Sequence, residues 1–227
     1  MIKIALVMSI PLAFPLEWHN TNAGNKLMWE VHRLDQRNHW VFDMDGTLTT
    51  SSHDFEYMRK ELGLKANEPI LEALNAMPDE QSAPLWLQLN DLECHFAGKS
   101  TLMPGVPELL EKLRVRGAKL GLLTRNIMPV VETTLNACGI DHFFPIQHRL
   151  DRDSCTPKPS PDGINHLLND WQAQPSDAVM VGDYLFDLQA GRSAKVATIH
   201  LDPAGNFAWP EMSDICIRQF SDIDEFL

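Results

Sequence analysis

Short apolar runs alternate with helical patterns along most of the chain beyond residue 37. Residues 38–42 are a short apolar run that predicts the first strand. From residue 104 onward, apolar runs and helical spacing alternate regularly. The predicted elements there are strands 118–123, 143–147, 177–182 and 195–200, and helices 105–116, 128–138, 161–171 and 185–193. This alternation predicts an α/β fold with a parallel sheet covered by helices on both faces.

Residues 54–99 interrupt the alternation, because they carry helical patterns without a strand pattern. Helices are predicted at 54–62, 67–77 and 81–96, with Pro69, Pro78 and Pro84 marking their starts and breaks. We therefore expect two units. Residues 38–53 and 101–227 would form the α/β core, and residues 54–100 would form a small helical insertion after the first strand.

Residues 1–37 precede the first predicted strand and carry little pattern. Their apolar stretch through Phe14 is interrupted by Pro11 and is too short to cross a membrane. We interpret residues 1–37 as a poorly specified N-terminal extension. A signal peptide is the alternative, since Lys3 precedes the apolar stretch and Ala23 ends a passable cleavage sequence.

The charge and the cysteine content limit the kinds of function that the protein could have. Lysine and arginine number 19 against 31 acidic residues, a formal net charge of −12, which opposes binding to nucleic acid or to an anionic membrane. The four cysteines form no CxxC pair and no zinc-type spacing. We expect a cytoplasmic protein with free thiols and with neither a nucleic-acid nor a membrane partner. Its oligomeric state has no signal in the sequence.

Polar residues follow several predicted strands at the point where each strand ends. Ligands bind beyond the carboxyl ends of the strands in an open parallel sheet, so we expect these residues to converge at one edge. They are Asp43 and Asp45 after the first strand, Thr124, Arg125 and Asn126 after strand 118–123, Lys158 in the loop before helix 161–171, Asp183 after strand 177–182, and Asp187 one helical turn later.

This set predicts a magnesium and phosphate site. Crowded carboxylates repel one another unless a hard cation neutralises them, and Mg²⁺ suits such a set, with Asp43, Asp45 and Asp183 as candidate ligands. Asp43 could also attack phosphorus and form an aspartyl-phosphate. Asp45 could serve as general acid and then general base through its side chain, while its backbone carbonyl binds the metal.

The remaining residues would hold the phosphoryl group. Thr124 offers a hydroxyl and the following amides, of Arg125 and Asn126, while Lys158 offsets the charges of the phosphate and the nucleophile. Asp187 would orient Lys158 or a metal-bound water, or simply favour a helix N-terminus. The Arg125 side chain could face either substrate or the surface. His53 could contact substrate, with an exposed linker residue as the alternative.

Four ordered motifs resemble those of the haloacid dehalogenase superfamily. They are Asp43-Met44-Asp45-Gly46-Thr47-Leu48, Leu122-Leu123-Thr124-Arg125-Asn126, Lys158-Pro159-Ser160-Pro161 and Val181-Gly182-Asp183-Tyr184-Leu185-Phe186-Asp187. The resemblance covers residues 38–202 and implies a Rossmann-like core with a small helical cap, as in the phosphoglycolate phosphatase-like subgroup. It also implies phosphoryl chemistry, because dehalogenases of the superfamily lack the second aspartate. The cap is shorter than is usual in that subgroup.

We therefore expect a Mg²⁺-dependent phosphatase that acts on a small phosphorylated metabolite through an aspartyl-phosphate. Residues 54–100 contain four basic and nine acidic side chains, which favours a substrate with a neutral or hydroxylated body over one with a second strongly anionic group. Two alternatives stay open. A phosphomutase of the same fold would protect the phosphoenzyme from water, and a non-catalytic binding module would show no turnover.

Overall fold

The computed structural model describes residues 34–50 and 54–227. Its strands are β1 (His39–Phe42), β2 (Thr49–Thr50), β3 (Thr101–Leu102), β4 (Lys119–Leu123), β5 (Arg149–Leu150), β6 (Ala178–Gly182), β7 (Ala197–Leu201) and β8 (Ile215–Ile217). Its α-helices are α1 (Phe55–Glu61), α2 (Ile70–Asn75), α3 (Asp79–Ala97), α4 (Val106–Val115), α5 (Met128–Ala137), α6 (Asp162–Trp171) and α7 (Leu185–Ser193).

Six strands form one parallel sheet in the order β5-β4-β1-β6-β7-β8. Every residue of β6 is buried, as expected for a parallel strand covered on both faces. Phe42 lies opposite Leu122 on β4 and Val181 on β6, so the carboxyl ends of the three central strands are level. The α/β fold class predicted from the sequence is confirmed, and the residues after these strands share one edge.

Alternate residues of β1 serve the two faces of the sheet. Trp40 and Phe42 belong to the apolar cluster that includes helices α4 and α5, whereas Val41 belongs to the cluster that includes α6. Successive strand side chains point to opposite faces, so one short strand anchors helices on both sides. The resulting core is a three-layered α/β arrangement.

The cap, residues 54–100, contains α1, α2 and α3 and has an apolar cluster of its own, made of Met58, Leu62, Leu74 and Leu89. The antiparallel strands β2 and β3 pair Thr50 with Thr101 where the chain leaves and re-enters the core. One proline prediction is wrong, because Pro84 lies inside α3. A proline near the start of a long helix removes only one hydrogen bond of the ladder, and the helix continues.

Two strand predictions are also corrected. Residues 143–147 form no strand; they span the end of one 3₁₀ turn, Asp141–Phe143, and the start of the next, Ile146–His148, and pairing begins at Arg149. Pro145 has no N–H to donate to a ladder, and Phe144 is buried instead against Phe42, with ring centroids 6.3 Å apart. The edge strand β8 was not predicted, because three residues give too short a pattern.

The first described residues pack on the core, although the sequence assigned them to the extension. Leu34 is fully buried in the core cluster. The Arg37 guanidinium donates to the carbonyl of Ala178 at 2.9 Å, and the Trp40 indole donates to the Arg37 carbonyl at 3.0 Å. The packed core therefore begins at least four residues before residue 38, where the sequence placed its start. Among the described helices, none has the length and apolar character needed to cross a membrane.

Candidate active site

Strand β1 delivers Asp43 to the carboxyl edge of the sheet. The Asp43 N–H donates to the Val181 carbonyl at 2.9 Å, which extends the pairing with β6 by one residue. The Asp43 side chain is nearly buried, and its carboxylate accepts a hydrogen bond from the Lys158 ammonium. Backbone pairing and an ion pair therefore fix the carboxylate that the sequence predicts as nucleophile.

A tight turn follows Asp43 and brings the chain against Asp183. Gly46 has a φ of +84°, and a Cβ at this position would collide with the Asp183 carboxylate. The next residue, Thr47, donates its hydroxyl to Asp183 Oδ1 at 3.2 Å. Gly46 is therefore needed both for the left-handed backbone and for the close approach.

Lys158 lies between two carboxylates and is almost fully buried. Its ammonium contacts Asp43 and lies 2.6 Å from Asp187 Oδ1. The other Asp187 oxygen accepts the Tyr184 N–H at 3.0 Å, in the first turn of α7. Asp187 thus makes both contacts considered from the sequence: it holds the lysine and caps a helix.

Three carboxylates come together at this edge. Asp43, Asp183 and Asp187 each offer an oxygen, and these oxygens lie within 4.8 Å of one another. Burial raises the pKa of Asp43 well above its ordinary value, and burial together with the Asp187 charge raises the pKa of Asp183 to about 7. Burial alone would lower the pKa of Lys158, but the Asp187 and Asp43 charges raise it.

This donor set fits a hard divalent cation. The Lys158 ammonium contacts two of the three carboxylates, Asp43 and Asp187, and burial together with the neighbouring carboxylate charges raises the pKa values of Asp43 and Asp183. Oxygen ligands gathered in this way suit Mg²⁺. The structure brings the carboxylate of Asp187, rather than that of Asp45, into the cluster. A metal role for Asp45 therefore depends on its backbone carbonyl and stays a prediction.

The Asp45 side chain is held by the loop that follows β4. The Asn126 side-chain amide donates to Asp45 Oδ2, and the Asn126 N–H donates to the Thr124 hydroxyl at 3.2 Å. Thr124 is itself buried, and its N–H donates to the Leu150 carbonyl at 3.0 Å. Asn126, predicted from the sequence only as a phosphate contact, therefore also orients the predicted general acid.

The Arg125 side chain links the core to the cap. Its guanidinium pairs with Glu72 on α2 and lies over the Phe186 ring, 4.7 Å from the ring centroid. Glu72 and Phe186 line the same cavity as Asp43 and Lys158. The charge of Arg125 is thus already matched by a cap carboxylate, which weakens the prediction that this side chain binds phosphate.

Sequence reasoning missed Arg152, which makes a second link to the cap. Its guanidinium forms a buried ion pair with Glu93 at 3.1 Å, donates a further hydrogen bond to the Asn90 side-chain oxygen, and lies 5.1 Å from the Trp86 ring centroid. Its backbone N–H donates to the Asn126 carbonyl at 2.9 Å. Glu93 precedes Arg152 by 59 positions, so no local pattern could have paired them.

These residues surround a cavity of about 360 Å³ between cap and core. Its catalytic side contains all but one of the residues predicted from the sequence, and these are Asp43, Asp45, Thr124, Arg125, Asn126, Lys158, Asp183 and Asp187. The cap contributes six apolar residues, among them Phe55, Ile70 and Leu71, and five polar or charged residues. His53, the predicted substrate contact at the hinge, lies outside the described residues.

The parallel sheet and the three inserted helices make this a Rossmann-like α/β protein with a helical cap, and the carboxylates and the lysine lie together at the edge of the sheet. Residues 40–201 match the family model of haloacid dehalogenase-like hydrolases, and the chain belongs to that family. The resemblance stated from the four motifs is confirmed.

Individual relatives agree with this assignment. A haloacid dehalogenase-like hydrolase domain-containing protein of Arabidopsis thaliana is 32% identical over 185 residues, which cover 76% of this chain and 74% of the relative. The pyrophosphatase PpaX of Bacillus velezensis is 37% identical over 93 residues, 41% of this chain and 43% of that protein. The crystal structure of a predicted phosphoglycolate phosphatase from Haemophilus somnus superposes with a TM-score of 0.68 at 25% identity, covering 84% of this chain and 97% of that one. The chain is thus a hydrolase of this family with phosphatase-type relatives.

Proposed function

We propose that the protein is a Mg²⁺-dependent phosphoric monoester hydrolase that acts on a small phosphorylated metabolite through an aspartyl-phosphate. The observation that carries the proposal is that two aspartates, two positions apart in the sequence, are held by different partners. The Asp43 carboxylate contacts Lys158 within the carboxylate cluster, while the Asp45 carboxyl is held aside by Asn126. One aspartate is therefore available as nucleophile and the other as acid.

The first chemical step transfers the phosphoryl group to the protein. An Asp43 carboxylate oxygen attacks phosphorus, and the bond between phosphorus and the ester oxygen breaks. Asp45 gives its proton to the departing oxygen, so the product leaves as a neutral alcohol. Lys158 and the Thr124 hydroxyl with its following amides offset the charge on the phosphoryl oxygens.

The second step returns the protein to its starting state. The Asp45 carboxylate accepts a proton from water, whose oxygen attacks phosphorus. The bond between phosphorus and Asp43 breaks, which regenerates both the carboxylate nucleophile and the protonated acid. The balance is one ester and one water consumed, and one alcohol and one phosphate released.

Asp43, Asp183 and the backbone carbonyl of Asp45 are the proposed metal ligands, with Asp187 next to them. When bound, Mg²⁺ would neutralise the clustered carboxylates and the phosphoryl oxygens, which otherwise repel one another. The family assignment supports this cofactor, since the haloacid dehalogenase superfamily generally uses Mg²⁺.

The test measures phosphate release from a panel of sugar phosphates, alkyl and aryl phosphates, phosphoglycolate and pyrophosphate, with Mg²⁺ and with excess EDTA. We expect turnover of at least one monoester with Mg²⁺ and none with EDTA. With an aryl phosphate, whose leaving group needs no proton, acid quenching of the Asp45→Asn variant should trap a phosphoenzyme, because loss of the general base slows its hydrolysis.

Three results would contradict the proposal. Full activity in EDTA would exclude the metal site. A phosphoenzyme that is stable in water but discharges to an added sugar phosphate would identify a phosphomutase. A complete lack of turnover across the panel would favour a non-catalytic binding module.

A further inference from the structure

Two of the exposed aromatic side chains lie in the catalytic cavity. Among the described residues, six large apolar side chains are strongly exposed, and they include Phe55 at 45% and Tyr184 at 50%. Phe55 lines the cavity from the cap, and Tyr184 lines it from the core. Apolar surface left in water costs free energy that a bound apolar group would recover.

The core aromatics are held in place before any ligand binds. The Tyr184 ring meets Phe186 edge to face at 5.2 Å and Trp209 edge to face at 5.3 Å. Phe186 in turn carries the Arg125 guanidinium on its ring. Aromatic side chains fixed by such contacts lose little conformational entropy when a ligand stacks on them.

The charges on the cap side of the cavity are largely matched. Glu72 pairs with Arg125, and Glu93 pairs with Arg152. Arg59 and Glu68 also line the cavity and carry opposite charges. This wall therefore has no surplus of positive charge for a second anionic group, whereas the partly exposed Ile70 and Leu71 offer apolar contact.

From these observations we propose that the substrate is the phosphate monoester of an alcohol with a planar apolar ring, and that Tyr184, Phe186 and Phe55 bind this ring. The inference rests on the proposed function, since it assigns the leaving group at the same site. A cavity of about 360 Å³ lies near the lower end of ordinary ligand pockets, which suits one ring with its phosphate.

The test compares three esters whose leaving groups are all alkyl alcohols, so that intrinsic reactivity differs little. They are benzyl phosphate, cyclohexylmethyl phosphate and glycerol 2-phosphate. We expect kcat/KM for benzyl phosphate to exceed that for glycerol 2-phosphate by about tenfold or more, with the saturated ring between them. Equal values, or preference for glycerol 2-phosphate, would overturn the inference while leaving the proposed function intact.

The chain offers a matched control, because its two tyrosines are about equally exposed. Tyr184→Leu should reduce the preference for benzyl over glycerol phosphate about tenfold. Tyr57, exposed at 44% on α1, is absent from the cavity lining, and Tyr57→Leu should leave the preference unchanged. If Tyr184→Leu lowers kcat/KM for all three esters by the same factor, or if Tyr57→Leu changes the preference as much as Tyr184→Leu does, the substrate ring does not bind at Tyr184.

A binding measurement separates this inference from the proposed function. Titration calorimetry with Mg²⁺ should show benzylphosphonate binding about tenfold more tightly than methylphosphonate. If this preference is found but no ester is hydrolysed, the ring site stands and the phosphatase proposal fails. If neither preference nor hydrolysis is found, both proposals fail.

Discussion

Core and cap are held together by different physical means. The core has an apolar interior on both faces of the sheet, and at one edge the buried Lys158 is paired with Asp43 and Asp187. The cap has only a small apolar cluster, and charged pairs join it to the core through Arg125 and Arg152. The sheet therefore positions the catalytic residues. Ion pairs between residues that are distant in the sequence position the cap side of the cavity, which would contact the leaving group.

The largest effect is expected at the sheet edge. Asp43→Asn removes the nucleophile and a predicted metal ligand together, so kcat/KM should fall by about 10⁴-fold or more. Phosphate release under saturating Mg²⁺ measures this. Asp224→Asn is the control, because Asp224 is an exposed carboxylate paired with Lys112, and its activity should stay unchanged. Release at the parent rate by Asp43→Asn would rule out the covalent mechanism.

Asp45→Asn should have a smaller effect, because attack by Asp43 remains available. Loss of proton transfer should lower kcat by about 10²–10⁴-fold for alkyl esters. The loss in the phosphoryl-transfer step should be smaller for p-nitrophenyl phosphate, whose leaving group needs no proton. Single-turnover rates of phosphoryl transfer from an alkyl ester and from p-nitrophenyl phosphate test this. An equal decrease in both rates would show that Asp45 does not act as the acid.

The junction of core and cap can be broken at Arg152. Arg152→Met removes the buried ion pair with Glu93, which should lower the free energy of unfolding by about 3–5 kcal/mol. Adding Glu93→Leu should restore most of that loss, because neither charge of the pair is then present. Arg114→Met, at an exposed pair with Glu111, should change stability by less than about 1 kcal/mol. Urea unfolding measures all three, and equal losses for Arg152 and Arg114 would contradict a structural role for the buried pair.

The smallest expected effect concerns pH. The pKa of Asp183 is raised to about 7 in the folded protein, above its unfolded value, so its stabilising contribution is present at acid pH and is lost as pH rises toward 7. Without divalent cations, the thermal midpoint should therefore decrease by a few degrees more between pH 5 and pH 8 in the parent than in Asp183→Asn. Calorimetry in EDTA checks this, and parallel pH profiles would contradict the raised pKa.

Mg²⁺ should reverse the sign of that trend in the parent protein. The ion binds the deprotonated carboxylates, so its stabilising effect should be larger at pH 8 than at pH 5. A midpoint that is insensitive to Mg²⁺ at both pH values would argue against the cluster as its site.

The sequence by itself determined the fold class and the positions at which chemistry gathers. Alternating strand and helix patterns predicted the parallel sheet, and the ends of parallel strands meet at one edge whatever the details of packing. The proximity of Asp43, Lys158 and Asp183 could therefore be predicted, because Asp43 and Asp183 follow strands and Lys158 lies in a loop before a helix. Short-range patterns were sufficient because each of these residues is positioned by the element beside it.

Only the tertiary structure decided how the cap meets the core. Arg125 and Glu72 are 53 positions apart, and Arg152 and Glu93 are 59 positions apart, so their pairing depends on how the helices dock rather than on any local pattern. The turns around Pro145 and the burial of Leu34 were settled in the same way. Local propensity acts over a few residues, whereas burial and charge pairing depend on which distant surfaces the folded chain brings into contact.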